Sequence, residues 1–484
     1  MASYSKGLPH NALGEVDISA YDKMVQALQS GRSADFEIIP MGEANPAKRR
    51  KLVNPQSGLA FDYAGADSHH LSQPPAPLFS SAEQAGEMVE NYWMALTRDI
   101  SFTEYDSHPL TTAAVNDLTT LTDFRGPKIG GTVTTKTLFR GLTPGDLMGP
   151  YLSQFLLKAA KFGAEIIDQR IQTTEAGKDF MTQYADWLQV QRGTKQPDNI
   201  FDPILRYIRN GRDAGQYVHI DVLFQGYFDA CLILAAPVTS DPATSGYGVP
   251  CNPGNPYVNS LTQEGFGTFG PPHIKGVLGE VAVQALKAVW YQKWFVHRLL
   301  RPEVFAGRIH NHKTGAASYP IHSDVLNSDA LQRIYDMSGK TSYLLPMAFT
   351  EGSPLHPSYG AGHATVAGAC VTILKWFFDE SFPIQSPMEA NPDMIHLDQD
   401  GTTLRPYLGA DKDQLTVGGE LNKLASNIGI SRNISGVHWR SDLAQSLVLG
   451  EEVAIRTLID FRESVAEDFD GCTFTKFDGT EITV

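Results

Sequence analysis

Apolar positions recur at helical spacing along most of this chain. Ser80-x-x-Glu83 reads as a capping box, and Ala85, Met88, Val89, Tyr92 and Leu96 follow it three and four residues apart. The same period predicts helices over 147–170, 178–192, 216–236, 274–300, 362–379 and 442–464. Strand-like alternation is scarce. Its best case, GGTVTTKTL after Ile129, predicts a minor β-hairpin ending at Leu138. Residues 1–80 lack periodicity and carry Pro40, Pro46, Pro55 and a QPPAP stretch at 73–77. Phe36, Ile38, Ile39, Leu59 and Phe61 give this segment something to bury. It reads as an irregular arm wrapped on the body or on a neighbouring subunit. The predicted fold is therefore mainly α: two packed helical bundles in one large domain, 81–484, preceded by the arm. A Gly/Pro-rich connection at 237–272 interrupts the helices, and no internal repeat appears.

Composition narrows the partners. With 39 basic and 54 acidic residues the net charge is −15, which repels phosphate backbones and anionic lipid and excludes a nucleic-acid binder. The one basic run, Lys48-Arg49-Arg50-Lys51, reads as a solvated loop beside Pro46. No stretch approaches the ~18 apolar residues of a membrane span. The first residues hold no apolar core of a secretory signal, and the compartment stays open. Cys231, Cys251, Cys370 and Cys472 lack metal-type spacing. Cys231 and Cys251 are the nearer pair for a bridge, and Cys370 reads as a buried thiol.

Three patches carry candidate chemistry. The first runs from Trp290 through Lys293 to Arg301-Pro302. Pro302 disfavours helical backbone at Arg301, which places that arginine at a helix end. On a continuous helix Lys293 and Arg301 would lie about 80° apart around the axis, so both could reach one pocket. The second, Glu351-Gly-Ser-Pro-Leu-His356-Pro-Ser-Tyr-Gly-Ala361-Gly362-His363, is a Gly-rich turn feeding an apolar helix. Free N–H groups and the positive dipole end favour an anion there. The third, Arg432 to Asp442, puts His438 four residues before a carboxylate on one expected helix face, with Arg432 in the turn before it. Alone, each patch also reads as a basic helix surface, a capping turn or a surface ion pair. Together they supply three cations, a helix N-terminus and two histidines, the makings of a tetrahedral oxyanion site.

These patches resemble the K-x(6–7)-RP, PSGH and SR-x5-H-x3-D signature of the vanadium-dependent haloperoxidases, here in the forms K-x7-RP and HPSY-x-x-GH; these enzymes are related to acid phosphatases of the membrane-lipid-phosphatase type. GLPHNALGEVD, KLVNPQSGLAFD, PPAPLFSSAEQAGEM, GPYLSQFLL and QEGFGTFG are similar to segments of the bromoperoxidases of marine algae and cyanobacteria. The resemblance spans nearly the whole chain. It implies a vanadate cofactor held by Lys293, Arg301, Arg432 and the Gly362 N–H, with His438 on the metal and His363 as acid–base group. It implies an accessory role for His356, a halide-approach role for Trp290, and supporting roles for Asp442 and Asp221. A solvated helix carboxylate is the plainer reading of Asp221. The expected reaction oxidises bromide or iodide with hydrogen peroxide to hypohalous acid, which then halogenates an organic acceptor. Relatives are homo-oligomers, from dimers to dodecamers, and some carry structural calcium.

Two departures bear on this expectation. Ala361 stands where the family has serine, and loss of one donor to a bound anion costs on the order of 1–3 kcal/mol. Trp290 with His356 mixes chlorinating and brominating signatures, which leaves the halide preference open. Two other readings use the same residues. One is an acid phosphatase acting through a phosphohistidine at His438, with Asp442 orienting it and His363 protonating the leaving group. The other is a repurposed oxyanion-binding member without halogenating activity.

Overall fold

The computed structural model describes residues 2–237, 246–384 and 395–484. The architecture is mainly helical, as expected. The helices that position the site are α1 (Ile18–Ser30), α2 (Ala82–Leu96), α3 (Gly211–Ile220), α4 (Gln225–Ala235), α5 (Pro271–Tyr291), α6 (Pro302–Lys313), α7 (Gly362–Phe377), α8 (Val417–Ile434) and α9 (Arg440–Ser464). Helix α7 is the hub, packed against α5, α8 and α9. Its run of apolar and small residues is buried throughout except at His363, which is how a helix enclosed by others reads in sequence. Close crossing of α7 and α9 depends on two glycines. A Cβ on Gly368 would strike the Leu447 carbonyl, and one on Gly450 would strike the Thr365 carbonyl. Among the described residues no single helix is long and apolar enough to cross a membrane.

Several elements differ from the predicted ones. Helix α2 is capped by Ser81, whose side chain accepts from Gln84 N–H, one residue beyond the predicted Ser80. The stretch 147–170 is not a helix. Gly149 at φ 68° and Pro150 break it, and Gln154–Leu156 makes a single 3-10 turn. Ala160–Phe162 (β1) then pairs antiparallel with Glu165–Ile167 (β2). Leu152, Phe155, Leu156 and Leu157 are buried where side chains of α8 pin the loop: Glu420 accepts from Gln154 N–H at 2.8 Å and Asn427 from Ser153 N–H at 2.8 Å, whereas Phe162 and Ile166 are exposed. Within 178–192 only Tyr184–Gln191 is helical. The run 216–236 splits into α3 and α4, bent by 97° about Asp221 to Phe224. The hairpin expected at 129–138 reduces to one bridge, Ile129 with Thr132. Strand pairs form elsewhere: Ile171–Thr174 (β3) with Phe201–Arg206 (β4), Ile395–Leu397 (β5) with Leu404–Pro406 (β6), and Thr473–Thr475 (β7) with Glu481–Thr483 (β8). In the Gly/Pro-rich connection, 238–245 lie outside the described residues.

The arm is less irregular than its sequence suggests. It contains α1, capped by Asp17 and closed by Gly31 in the left-handed region. Tyr4, Leu8, Met24, Ala27, Leu28 and Ile39 form a second apolar cluster with Trp294. The arm is thus folded onto the body, not loosely wrapped. In the basic run Lys48 and Lys51 are exposed, whereas Arg49 and Arg50 are half-buried, and Arg50 reaches the Glu351 carbonyl. All four cysteines are free thiols, so no Cys231–Cys251 bridge exists, and Cys370 is buried as expected.

Candidate active site

The three sequence patches meet in one cavity of about 360 Å3. Trp290, His356, Gly362, His363, Arg432, His438 and Asp221 line it, with Phe349, Leu223, Leu286 and Pro354 as apolar wall. Lys293 and Arg301 lie behind His356, fully buried. The two cations do not arrive along one helix, as the 80° reckoning supposed. Helix α5 ends at Tyr291, and Gln292–His297 widen into a π-type turn. Arg298 then adopts the left-handed region at φ 48°, and Arg301 caps α6 ahead of Pro302. Across this break both side chains converge on one atom of His356.

Convergence is tight. Lys293 Nζ and Arg301 Nη2 each lie 2.9 Å from the same atom, His356 Nδ1. Arg301 Nη1 donates to the Val437 carbonyl at 2.7 Å and faces His438 Nε2 at 2.9 Å. Arg432, in the last turn of α8 and not in a loop, donates to the Val218 carbonyl at 2.8 Å and sits over the Phe349 ring. Its Nε is buried without a partner among the described residues. Among the described residues none of the three cations has a carboxylate partner in an ion pair. Burial pulls Arg301 and Arg432 down to about 10. Burial and the neighbouring Arg301 hold Lys293 well below the usual lysine range.

His438 does not share a helix face with Asp442. It precedes Trp439, the residue before the first turn of α9, and Asp442 turns back to cap that helix. Asp442 Oδ2 accepts from Trp439 N–H at 3.1 Å, from His438 Nδ1 at 2.6 Å and from the Ser358 hydroxyl. This fixes the proton of His438 on Nδ1 and leaves Nε2 with a lone pair toward the cations. Burial, reinforced by Arg301 and Lys293, keeps His438 well below the usual histidine range, so it is neutral. His356 is neutral for the same reasons. Burial raises Asp442 to about 6.

The Gly-rich turn delivers the other wall. Helix α7 begins at Gly362 with Ala361 before it, a residue without a capping side chain. The Ala361 N–H is satisfied by the Ser446 hydroxyl at 2.8 Å. The N–H groups of Gly362 and His363 have no acceptor among the described residues. A Cβ on Gly362 would press on the Trp290 ring at 3.2 Å, so the indole lies directly over this backbone. Trp290 itself stacks near His356, ring centroids 4.8 Å apart, with Lys293 Nζ 4.7 Å from its ring centroid. His363 Nε2 meets Asp221 Oδ1 at 3.0 Å. Asp221 is therefore a partner of the site and not a solvated helix carboxylate, because it leaves α3 at its C-terminal cap.

Two participants escaped the sequence reading. His219 Nε2 bonds Glu351 Oε1 at 2.8 Å in the cavity wall, and its ring stacks on Phe349 at 3.9 Å. Burial opposes ionisation of Glu351, but the bond and charge of His219 and then Arg50 bring it down to about 2. Lys6, from the arm, is buried against Glu303 at 2.6 Å and donates to the carbonyls of Ser353 and Glu351. It holds the loop that carries His356. The only sequence signal was Glu351 at the head of the second patch. Nothing linked it to His219, 132 positions away.

The donor set fits an oxyanion bearing a Lewis-acidic centre. Two cations compete for one lone pair of His356, and Arg432 Nε has no acceptor among the described residues, so an anion between them would satisfy all three. The neutral Nε2 of His438 is a metal-ligand nitrogen. Fold and site together define a helical-bundle protein with a buried cationic pocket and a neutral histidine facing it, a donor set suited to a tetrahedral oxyanion.

Comparison with known proteins sharpens this class. Residues 277–467 match the VCPO second helical-bundle domain. The chain is 37% identical to a vanadium-dependent bromoperoxidase of Corallina pilulifera, over 100% of this chain and 91% of that one. It is 32% identical to one of Ascophyllum nodosum, over 96% of this chain and 84% of that one. The homohexameric second vanadate-dependent bromoperoxidase of Ascophyllum nodosum superposes with a TM-score of 0.89 at 30% identity, covering 99% of this chain and 83% of that one. The chain belongs to the vanadium-dependent bromoperoxidase family.

Proposed function

We propose that this protein oxidises halide, bromide and iodide foremost, with hydrogen peroxide on a vanadate cofactor, and that the hypohalous acid released halogenates an organic acceptor. The observation that carries the residue assignment is the convergence of Lys293, Arg301 and Arg432, buried and without carboxylate partners among the described residues, on the cavity that holds His438 Nε2.

In this reading Lys293, Arg301, Arg432 and the Gly362 N–H hold the cofactor oxygens, and His438 Nε2 binds the metal. Bound vanadate supplies a Lewis-acidic centre that activates peroxide without changing its own oxidation state. Asp442 keeps the His438 proton on Nδ1, so the ligand nitrogen stays available. His363, with Nε2–H held by Asp221, keeps Nδ1 as the base that removes a proton from hydrogen peroxide. Lys293 stabilises negative charge as it develops on oxygen, in a dry site where that interaction is strong. Trp290, His356 and Phe349 shape the halide's approach. Assembly as a homo-oligomer is part of the proposal. A structural calcium rests on the resemblance alone and is tested by the metal content of the purified protein.

Bromination of a simple diketone by the apoprotein, with and without orthovanadate, tests the reading. Activity that appears only with vanadate and is suppressed by excess phosphate is expected. Hydrolysis of a phosphomonoester by the apoprotein, with no bromination at saturating vanadate, would instead establish the phosphatase chemistry that the same residues permit.

A further inference from the structure

Away from the cavity, a turn of the arm brings together Asp67, His69 and His70, each offering one ligand atom within 4.8 Å of the other two. We propose that these three side chains form a binding site for a divalent transition-metal ion of the zinc, copper or nickel class. Their partners inside the protein are few. Asp67 Oδ1 accepts Asp62 N–H at 2.9 Å, and its other oxygen has no hydrogen bond among the described residues. Both imidazoles are exposed, their centroids 4.3 Å apart, and neither ring makes a hydrogen bond among the described residues. His69 is oriented edge-on against Phe61 at 5.8 Å and Tyr291 at 6.3 Å.

The backbone under these ligands is fixed from several sides. Lys287 pairs with Asp62, Gln284 donates to the Ala64 carbonyl at 3.1 Å, and Gln292 donates to the Leu71 carbonyl at 2.8 Å. Gly65 N–H bonds Asp460 at 2.7 Å. Metal–nitrogen bonds of about 2.0–2.1 Å put tetrahedral ligand atoms roughly 3.4 Å apart, so side-chain rotation of an ångström or so closes the site. Two imidazoles and one carboxylate suit Zn2+, Cu2+ or Ni2+ and not Ca2+ or Mg2+, which prefer an all-oxygen shell. Three protein ligands leave the remaining positions to water. All three ligands come from the arm, and His69 lies against Tyr291, the last residue of α5, just before the turn that carries Lys293.

The test uses untagged, vanadate-loaded protein passed over a chelating resin and titrated with Zn2+ by calorimetry, with Co2+ absorption as a second readout. One equivalent is expected to bind, unaffected by millimolar Ca2+. Binding should weaken at least tenfold in His69→Ala and in His70→Ala and vanish in the double variant, while bromination stays at the wild-type level. These histidines are exposed, and retained bromination confirms that the variants fold. Failure of the wild type to bind Zn2+, or equal binding by the double variant, overturns the site.

Discussion

Two histidine–carboxylate pairs face the same cavity and are built for opposite tasks. His438 and Asp442 are almost wholly buried, side chains 2% and 0% exposed, and three cations press on them. The histidine cannot take a second proton there, and its free nitrogen is a permanent lone pair. His363 and Asp221 are 21% and 5% exposed, at the open side of the pocket. Their histidine lies in the first turn of α7 and can exchange a proton with solvent. In the proposed mechanism the same two residue types give a fixed ligand when buried among cations and a proton carrier when left near water.

The sharpest way to break this contrast is to delete each histidine and measure binding and turnover separately. His438→Ala should lose both vanadate binding, followed by equilibrium dialysis, and bromination. Lys293→Ala should lower turnover by on the order of 10²–10³-fold, the usual effect of removing one preorganised donor. His363→Ala should retain vanadate while turnover falls by roughly 10²–10⁴-fold, as for loss of a general base. If His363→Ala lost vanadate instead, or His438→Ala kept it, the two roles would be exchanged.

The carboxylates give a smaller and finer test. Asp442→Asn leaves the shape but removes the acceptor that fixes the His438 tautomer. Vanadate affinity should fall about 10–100-fold, the range for a lost ligand-orienting partner. Asp221→Asn should leave affinity intact and lower turnover only. An equal loss of affinity in both variants would show that the pairs are not functionally distinct.

Much of this site was legible in the sequence because its parts cluster locally. Pro302 located Arg301, and Gly362 and the apolar run after it located the start of α7. What misled was geometry that local period cannot carry. The π-type turn at Gln292–His297 and the left-handed Arg298 break the chain's path where a smooth helix was expected. His438 sits outside α9, and Asp442 reaches it as a cap. Region 147–170 has apolar residues at helical spacing, yet Gly149 and Pro150 and the hydrogen bonds from α8 decide its path. Helix α8, with two glycines near its start and several polar positions, was hidden because its polar side chains are buried as partners of loops. The arm's Lys6 shows the same limit: a buried lysine is intelligible only once Glu303, nearly 300 positions on, stands beside it.

The third pair, His219 with Glu351, extends the comparison with the smallest effect. Here the carboxylate is displaced, to about 2, by the hydrogen bond and charge of His219 and then Arg50 against the opposing effect of burial. A depressed carboxylate contributes stability that is fully present above its unfolded value of about 4.5 and is lost as pH falls through about 2. The contribution is at most about 3 kcal/mol at neutral pH, by the usual conversion of such a shift. Glu351→Gln should therefore flatten the acid limb of stability between pH 4.5 and 2, measured by denaturant unfolding across that range, while vanadate affinity changes less than threefold. A large loss of affinity in this variant would mean that the stack of His219 on Phe349 transmits to Arg432. The third pair would then belong to the cofactor site and not to the cavity wall.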